Sequence, residues 1–314
     1  MAQRKDTTGS RLRRQTAAGA VALVLCLVAG SPGGAACLKT SPLFTISSAA
    51  TVPLRQPADL TIHGDRLFVL DDLNARVVSY GLEGTFISAT KLPGGSSSSY
   101  LGFDVGGDDN LYLAASGAGK IVVINQKGEK VREFSTGGGE NPSEPVGVEV
   151  ARGQCFVVDN EAHSVKVYDL AGAPAVAWGG LGDGPGKFRH PFRLLQDPLG
   201  RIIVSDSLNS RIKIFTPVGD PLLEFGEFGV TEGTLYRPAG LGLWGENLLL
   251  VADNYLGAIQ VYDLKGEYQS TLCGADSKPL IFSNPVSLAV RGSTVFVLEM
   301  GAGRVQALRI TAPN

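Results

Sequence analysis

Short apolar runs that recur every 44 to 47 residues constrain this chain more than anything else in it. The intervals are counted between the residues that close one run of each set: Asp71, Ala115, Asp159, Asp206, Asp253 and Glu299. The runs are short, as at Leu67–Leu70, Cys155–Val158 and Ile202–Ser205, and Gly, Pro, Asn or Asp bounds them. That is the pattern of strands joined by tight turns, and a period in the forties matches a four-stranded propeller blade. Another run begins five residues after each closing residue, and a glycine follows at thirteen in the first five repeats: Gly84, Gly128, Gly172, Gly219 and Gly266. Glycine at a fixed place in a hairpin serves a turn with positive φ, which other residues enter at a cost. At nineteen come Phe134, Trp178, Phe225 and Leu272, apolar plugs for an outermost strand, with Thr90 breaking the pattern in the first repeat. The expected fold is all-β, a six-bladed β-propeller over residues 56–314 with four strands per blade. The 41 glycines and 18% of charged residues suit such a turn-rich chain.

The sixth repeat stops at Ile310 without a fourth strand. Residues 37–55 hold an unassigned β-like run, Leu43–Leu54, which is expected to complete that last blade. An open ring would keep an exposed strand edge, which invites aggregation.

The stretch Phe188–Gly226 is similar to the NHL repeat. It has Pro before the first strand, Asp206 ending the second, Asn209 and Arg211 in the hairpin, and the aromatic–Gly finish Phe225-Gly226. Asp71, Asn74 and Arg76 repeat the hairpin pattern, whereas Ala115 and Ala118 replace Asp and Asn in the second repeat. The resemblance spans about Gln56 to Ile310 and implies a six-bladed propeller, in agreement with the count of repeats. The family comprises binding scaffolds and, among related propellers, a few lyases and hydrolases. Its motif residues are structural, so the resemblance carries a fold and no mechanism.

Residues 1–36 read as a secretory signal: basic Arg11–Arg14, the apolar run Ala17–Gly30, then small residues. A helix of that run rises only about 21 Å, short of a hydrocarbon core of about 30 Å. Gly34-Ala35-Ala36-Cys37 looks like a bacterial lipobox, with Gly34 where Leu is usual, and on that resemblance Cys37 is the lipidated first residue. Ordinary cleavage nearby is the other reading. The expected address is the bacterial cell envelope, periplasm or surface, with a lipid as the one attachment to a membrane. From Cys37 onward 23 basic residues face 29 acidic ones, so nucleic acid is not an expected partner. Cys155 and Cys273 lie two repeats apart, which argues against a disulfide between them.

The closing aspartates and the hairpin residues Arg76 and Arg211 recur in register, which marks them as turn-holders rather than acid–base catalysts. His163 and His190 fall on loops of one face in neighbouring repeats, and His63 falls at the opposite face. A three-histidine zinc site is therefore excluded, and no His-Glu-x-x-His occurs. The pair could form half a metal site or touch a ligand; solvated loop histidines are the plainer reading. Asp59 and Arg193, each second in an innermost strand, face one another across the ring and are candidate ligand contacts. Two positions further in, Asp104 and Glu149 are neighbours near the channel. They either hold a divalent cation such as calcium or raise one another's pKa, with solvation by channel water as the plainer outcome. No other cofactor is expected.

The longest irregular stretches, 91–100, 137–144, 179–190, 226–237 and 274–284, all emerge on the face that carries the hairpin loops. Around it stand Phe188, Arg189, His190, Tyr236 and Arg237, and Arg and Tyr are frequent interface anchors. The expectation is a monomeric binding or scaffold module whose loop face takes a protein or anionic polymer across the fourth and fifth repeats. The competing expectation is a propeller hydrolase or lyase that uses a metal on the channel carboxylates; no catalytic residue is nominated.

Overall fold

A computed structural model describes residues 37–95, 99–137 and 143–311, and the expected export segment lies outside them. Apart from 3-10 turns of three residues, every regular element there is a β-strand. The first repeat sets the plan, with Pro57–His63, Arg66–Asp71, Arg76–Gly81 and Phe86–Lys91 side by side in that order. The second, third and fourth repeats form three more four-stranded sheets, beginning at Tyr100, Pro145 and Pro191. Innermost strands of successive repeats touch, and Pro285–Arg291 of the sixth returns to Pro57–His63 of the first. The fold is an all-β propeller.

Alternation within the second strand explains why each sheet needs two neighbours. Successive strand residues point to opposite faces. Leu67 and Val69 accordingly pack toward the sixth repeat, with Phe296 and Val305, whereas Phe68 and Leu70 pack toward the second, with Leu111 and Leu113. The core is divided in this way among the seams between consecutive sheets. Each Leu, Val or Phe buried there contributes about 1.5–3 kcal/mol.

The glycine at thirteen has a second role beyond its positive φ. At Gly219 (φ 98°) an added Cβ would lie 2.5 Å from Trp178 of the preceding repeat, and at Gly172 (φ 95°) it would lie 2.6 Å from Phe134. The plug aromatic of one sheet thus rests on the bare turn of the next. Thr90 fills the same place in the first repeat by donating from Oγ1 to the Gln126 carbonyl at 2.8 Å. Phe44 occupies it against Gly84, which marks the N-terminal strand as the outer strand of the sixth repeat.

That strand differs from the expectation in extent and in pairing. It runs from Cys37 to Ile46, not from Leu43 to Leu54, and pairs antiparallel with Arg304–Ile310 in the register Thr40↔Ile310 to Ile46↔Val305. Its first residues also pair in parallel with the fifth repeat, Cys37↔Thr271 to Lys39↔Cys273. The fifth and sixth repeats consequently share one eight-stranded sheet instead of two separate ones. Polar Lys39 and Ser41 and the bulge after Pro42 hide the alternation that buries Leu38, Thr40 and Ile46. Residues beyond Ile46 form only the ribbon of Ser48–Ala49 with Val52–Pro53.

Cys37 and Cys273 are disulfide-bonded. This alters the reading of Cys37, because a thioether-linked lipid would need the same sulfur, and the two uses exclude each other. Cys155, unpaired and buried, has its thiol pKa pushed far up by desolvation.

Candidate functional site

The closing carboxylates organise the loop face. Asp71, wholly buried, accepts from Asn74 Nδ2 (2.8 Å), Arg76 Nε (2.7 Å) and the Arg55 backbone N–H (2.7 Å). One side chain therefore ties the hairpin turn to the connection that arrives from the previous repeat. Asp206 takes Asn209 Nδ2 (2.8 Å) and the Arg189 N–H (2.7 Å), but Arg211 turns away to Glu224 at 3.2 Å. Lys213 stands in its place, 3.3 Å from Asp206 and fully buried, and donates to the Gly184 and Lys187 carbonyls at 2.7 and 2.6 Å. Lys166 does the same for Asp159 and the Thr136 carbonyl. Sequence reasoning missed these two latches, although a lysine inside an otherwise apolar strand was a visible signal.

Asp59 and Arg193 do meet across the axis, with Arg193 Nε 3.3 Å from Asp59 Oδ1. The guanidinium also donates to the carbonyls of Ala58 (2.7 Å), Leu101 (2.8 Å) and Val146, which belong to three different repeats. Asp59 accepts from the N–H groups of Leu60 (2.9 Å) and Phe103 (3.1 Å). Burial raises the Asp59 pKa and lowers that of Arg193, while their attraction opposes both shifts. With its groups engaged inside the protein, the pair acts as a plug that joins the innermost strands.

Against the plug lies a cavity of about 90 Å³ lined by Asp59 and Arg193 themselves, by Asp104, Glu149, Thr61 and Ser287, and by a wall of leucines. The innermost strands are buried at their proline ends and half-buried at the other, so the cavity faces the side away from the long connections. Asp104 accepts from Thr61 Oγ1 (3.0 Å) and the Val150 N–H (2.8 Å). Desolvation pushes its pKa up to about 6 and raises Glu149 well above the ordinary range, Asp104 adding to the latter as a like charge. A calcium ion takes six to eight oxygens. Asp59 is engaged by Arg193 and two backbone N–H groups, so two carboxylates and two hydroxyls remain. These fall short of that, and no cluster of three or more His, Cys, Asp or Glu suited to a metal occurs among the described residues.

A pH series tests this environment. With the folded pKa raised above the unfolded 3.8, the stability from proton uptake is full below the unfolded value and is lost as pH rises through about 6. Asp104→Asn combined with Glu149→Gln should therefore gain on the parent as pH rises from about 4 through about 6, by about 2–3 kcal/mol for the Asp104 shift, read from urea midpoints. The same pH dependence in parent and variant would mean that channel water solvates both carboxylates.

On the loop face Arg189 and Arg237 are exposed and Tyr236 is half-buried, but Phe188 is wholly buried and belongs to the core. Tyr236 stacks on Tyr255, centroids 3.9 Å apart at 15°, and its other neighbour Phe228 lies at 5.0 Å. Asp253 holds this assembly in place, accepting from the N–H groups of Tyr236 (2.6 Å), Arg237 (2.9 Å), Tyr255 (3.1 Å) and Leu256 (3.0 Å). Tyr255 and Phe228 escaped the sequence reading because neither sits at a recurring offset.

His163 and His190 meet edge to face at 4.6 Å. His163 Nδ1 accepts the His190 backbone N–H at 3.1 Å, so its proton resides on Nε2 when the ring is neutral. A metal at that nitrogen would displace the proton and cost the hydrogen bond, which does not suit half a metal site. Burial lowers the His163 pKa, and His190 adds to the shift. His63 lies at the opposite face, 3.2 Å from Asp109.

Sheets ringed about an axis, with hairpin turns that recur at fixed offsets, define the class: an all-β repeat propeller. No family model matches the chain. The NHL-repeat-containing protein 4 of Mus musculus is 33% identical over 114 residues, 36% of this chain and 76% of that protein. The chain belongs to the NHL-repeat family. Protein brain tumor of Drosophila melanogaster is 33% identical over 78 residues, 24% of this chain and only 8% of that protein. Among solved structures, virginiamycin B lyase from Staphylococcus aureus matches with a TM-score of 0.61 at 14% identity, covering 81% of this chain and 95% of that one. The RRP9 WD40 repeats match at 0.58 with 11% identity, covering 88% and 99%. At such identities the likeness extends to the fold alone.

Proposed function

We propose that the chain is an exported six-bladed propeller that docks a protein partner on its loop face. The blade count treats the eight-stranded sheet as two blades clasped by the N-terminal strand, each of its halves having an innermost strand in the ring. Export is supported by the Cys37–Cys273 bond, since disulfides persist in oxidising compartments. In this reading Cys37 serves the clasp and carries no lipid. The docking assignment rests on one observation: Tyr236, Tyr255 and Arg237 are fixed from beneath by Asp253 yet present their outer surfaces to solvent. Rigid aromatics with an arginine beside them are the composition of interface hot spots. The hydrolase or lyase reading is the weaker one, because the donors at Asp104 and Glu149 do not suit calcium.

A photo-crosslinking side chain placed at Tyr255 should capture a discrete envelope protein, and one placed at Leu199 on the opposite face should not. Arg189→Ala, Tyr236→Ala and Arg237→Ala together should abolish the capture and cost no more than a lost surface aromatic pair, about 1 kcal/mol. Capture that survives the triple change places the site elsewhere.

A further inference from the structure

We infer that the loop face takes an acidic polypeptide segment that also carries apolar side chains, an inference that rests on the docking role proposed above. Three arginines carry it. Arg55, Arg189 and Arg237 each stand one or two residues before the proline of an innermost strand, in the first, fourth and fifth repeats. Each has its backbone N–H bound to the closing aspartate of its own repeat, at 2.7, 2.7 and 2.9 Å. Their backbones are thereby held at equivalent places around the mouth of the ring, and their exposed side chains have no ion-pair or hydrogen-bond partner among the described residues. Glu144 is the acid at the matching position. Asp183, Glu227 and Glu232 come earlier in their connections, toward the outer strands.

The other face carries both signs of charge. The turns there hold Asp65, Asp109, Asp220 and Asp263 together with Lys127, Arg152 and Lys265, and Asp108 and Asp197 are paired with Arg132 and Arg201. On a chain with an acid excess from Cys37 onward, three unpaired guanidinium groups stand at one mouth, with Asp72 and Glu161 in the neighbouring hairpin loops. Carboxylates of a partner can pair with these guanidinium groups, which have their hydrogen-bond donors free.

The neighbouring surface narrows the kind of anion. Leu181, Phe228, Val230, Tyr255 and Ile281, all on loops of this face in the third to sixth repeats, are 61% to 74% exposed. A phosphate or uronic-acid polymer has nothing to cover aliphatic side chains, whereas a polypeptide has both carboxylates and apolar groups. The juxtaposition of arginines and exposed apolar residues therefore favours a protein segment over a polysaccharide or polyphosphate.

The test uses the full chain and three immobilised probes: short peptides of Asp and Glu mixed with Leu and Phe, polyglutamate, and polyphosphate. The mixed peptides should bind best. Arg55→Ser, Arg189→Ser and Arg237→Ser together should weaken them at least about tenfold and flatten the salt dependence, as expected for charges at an interface rim. Phe228→Ser with Tyr255→Ser should weaken the mixed peptides but leave polyglutamate unchanged. Unaltered melting would show that the backbone anchors persist in both variants. The inference is overturned if no mixed peptide binds, if the arginine variant binds as the parent does, or if polyphosphate binds as well as the peptides. Should crosslinking at Tyr255 still capture a protein in that event, the docking face stands and only the acidic character of its partner falls.

Discussion

Asp59→Ala is expected to destabilise the fold by about 3–5 kcal/mol, the cost of leaving a buried charge without its partner. Arg193 is 6% exposed and donates to carbonyls of the first, second and third repeats, so it cannot follow its lost counter-charge into solvent without breaking those bonds. Its ion pair with Asp59 is poorly aligned, Nε having no well-directed hydrogen bond. The penalty should therefore come mainly from the uncompensated charge and less from a lost bond. Asp59→Asn combined with Arg193→Met should cost less than the two single changes summed, as coupling within one contact requires. Urea denaturation of the four proteins measures this. An Asp59→Ala variant within about 1 kcal/mol of the parent would mean that water entering the channel solvates the guanidinium.

Opening the N-terminal clasp should have an effect of similar size. The bond between Cys37 and Cys273 spans 236 residues. By the chain-entropy argument a loop of that size is worth about 5 kcal/mol at most. Cys37→Ser with Cys273→Ser should lower the urea midpoint accordingly, and a reductant should bring the parent down to the level of the variant. The strand pairing of Thr40–Ile46 with Arg304–Ile310 remains in both, so the sheet should loosen first at the parallel contact with the fifth repeat. Mass spectrometry of the intact protein should find the two sulfurs joined and Cys37 free of lipid. A diacylglyceryl adduct, with melting insensitive to reductant, would return Cys37 to the lipoprotein reading.

Much of the architecture was legible because it is written locally. The closing aspartates, the hairpin asparagines and the glycines at thirteen act within one turn, and their spacing repeats as the turns repeat. The aromatic plugs at nineteen were equally visible, although their partner, the bare glycine turn of the next sheet, was not. The N-terminal strand was placed on the right sheet and given the wrong extent. Its partners lie 234 to 270 residues away, and a strand that changes partner after Lys39 and bulges after Pro42 shows no regular alternation.

For the candidate site the division is similar. Arg189, His190, Tyr236 and Arg237 were found from composition at irregular loops, and Asp59 with Arg193 from their strand positions. Their roles could not be read, because whether a charged side chain reaches solvent or three carbonyls depends on contacts between repeats. The same reason separates Phe188, which packs inward, from Phe228, which does not. By itself the sequence determined the strand order, the turns and the period, since these follow from short-range sterics and hydrogen bonding. Only the tertiary structure decided that Cys37 meets Cys273, that Arg193 closes the axis, and that the loop face keeps its arginines unpaired, because each depends on residues brought together from distant repeats.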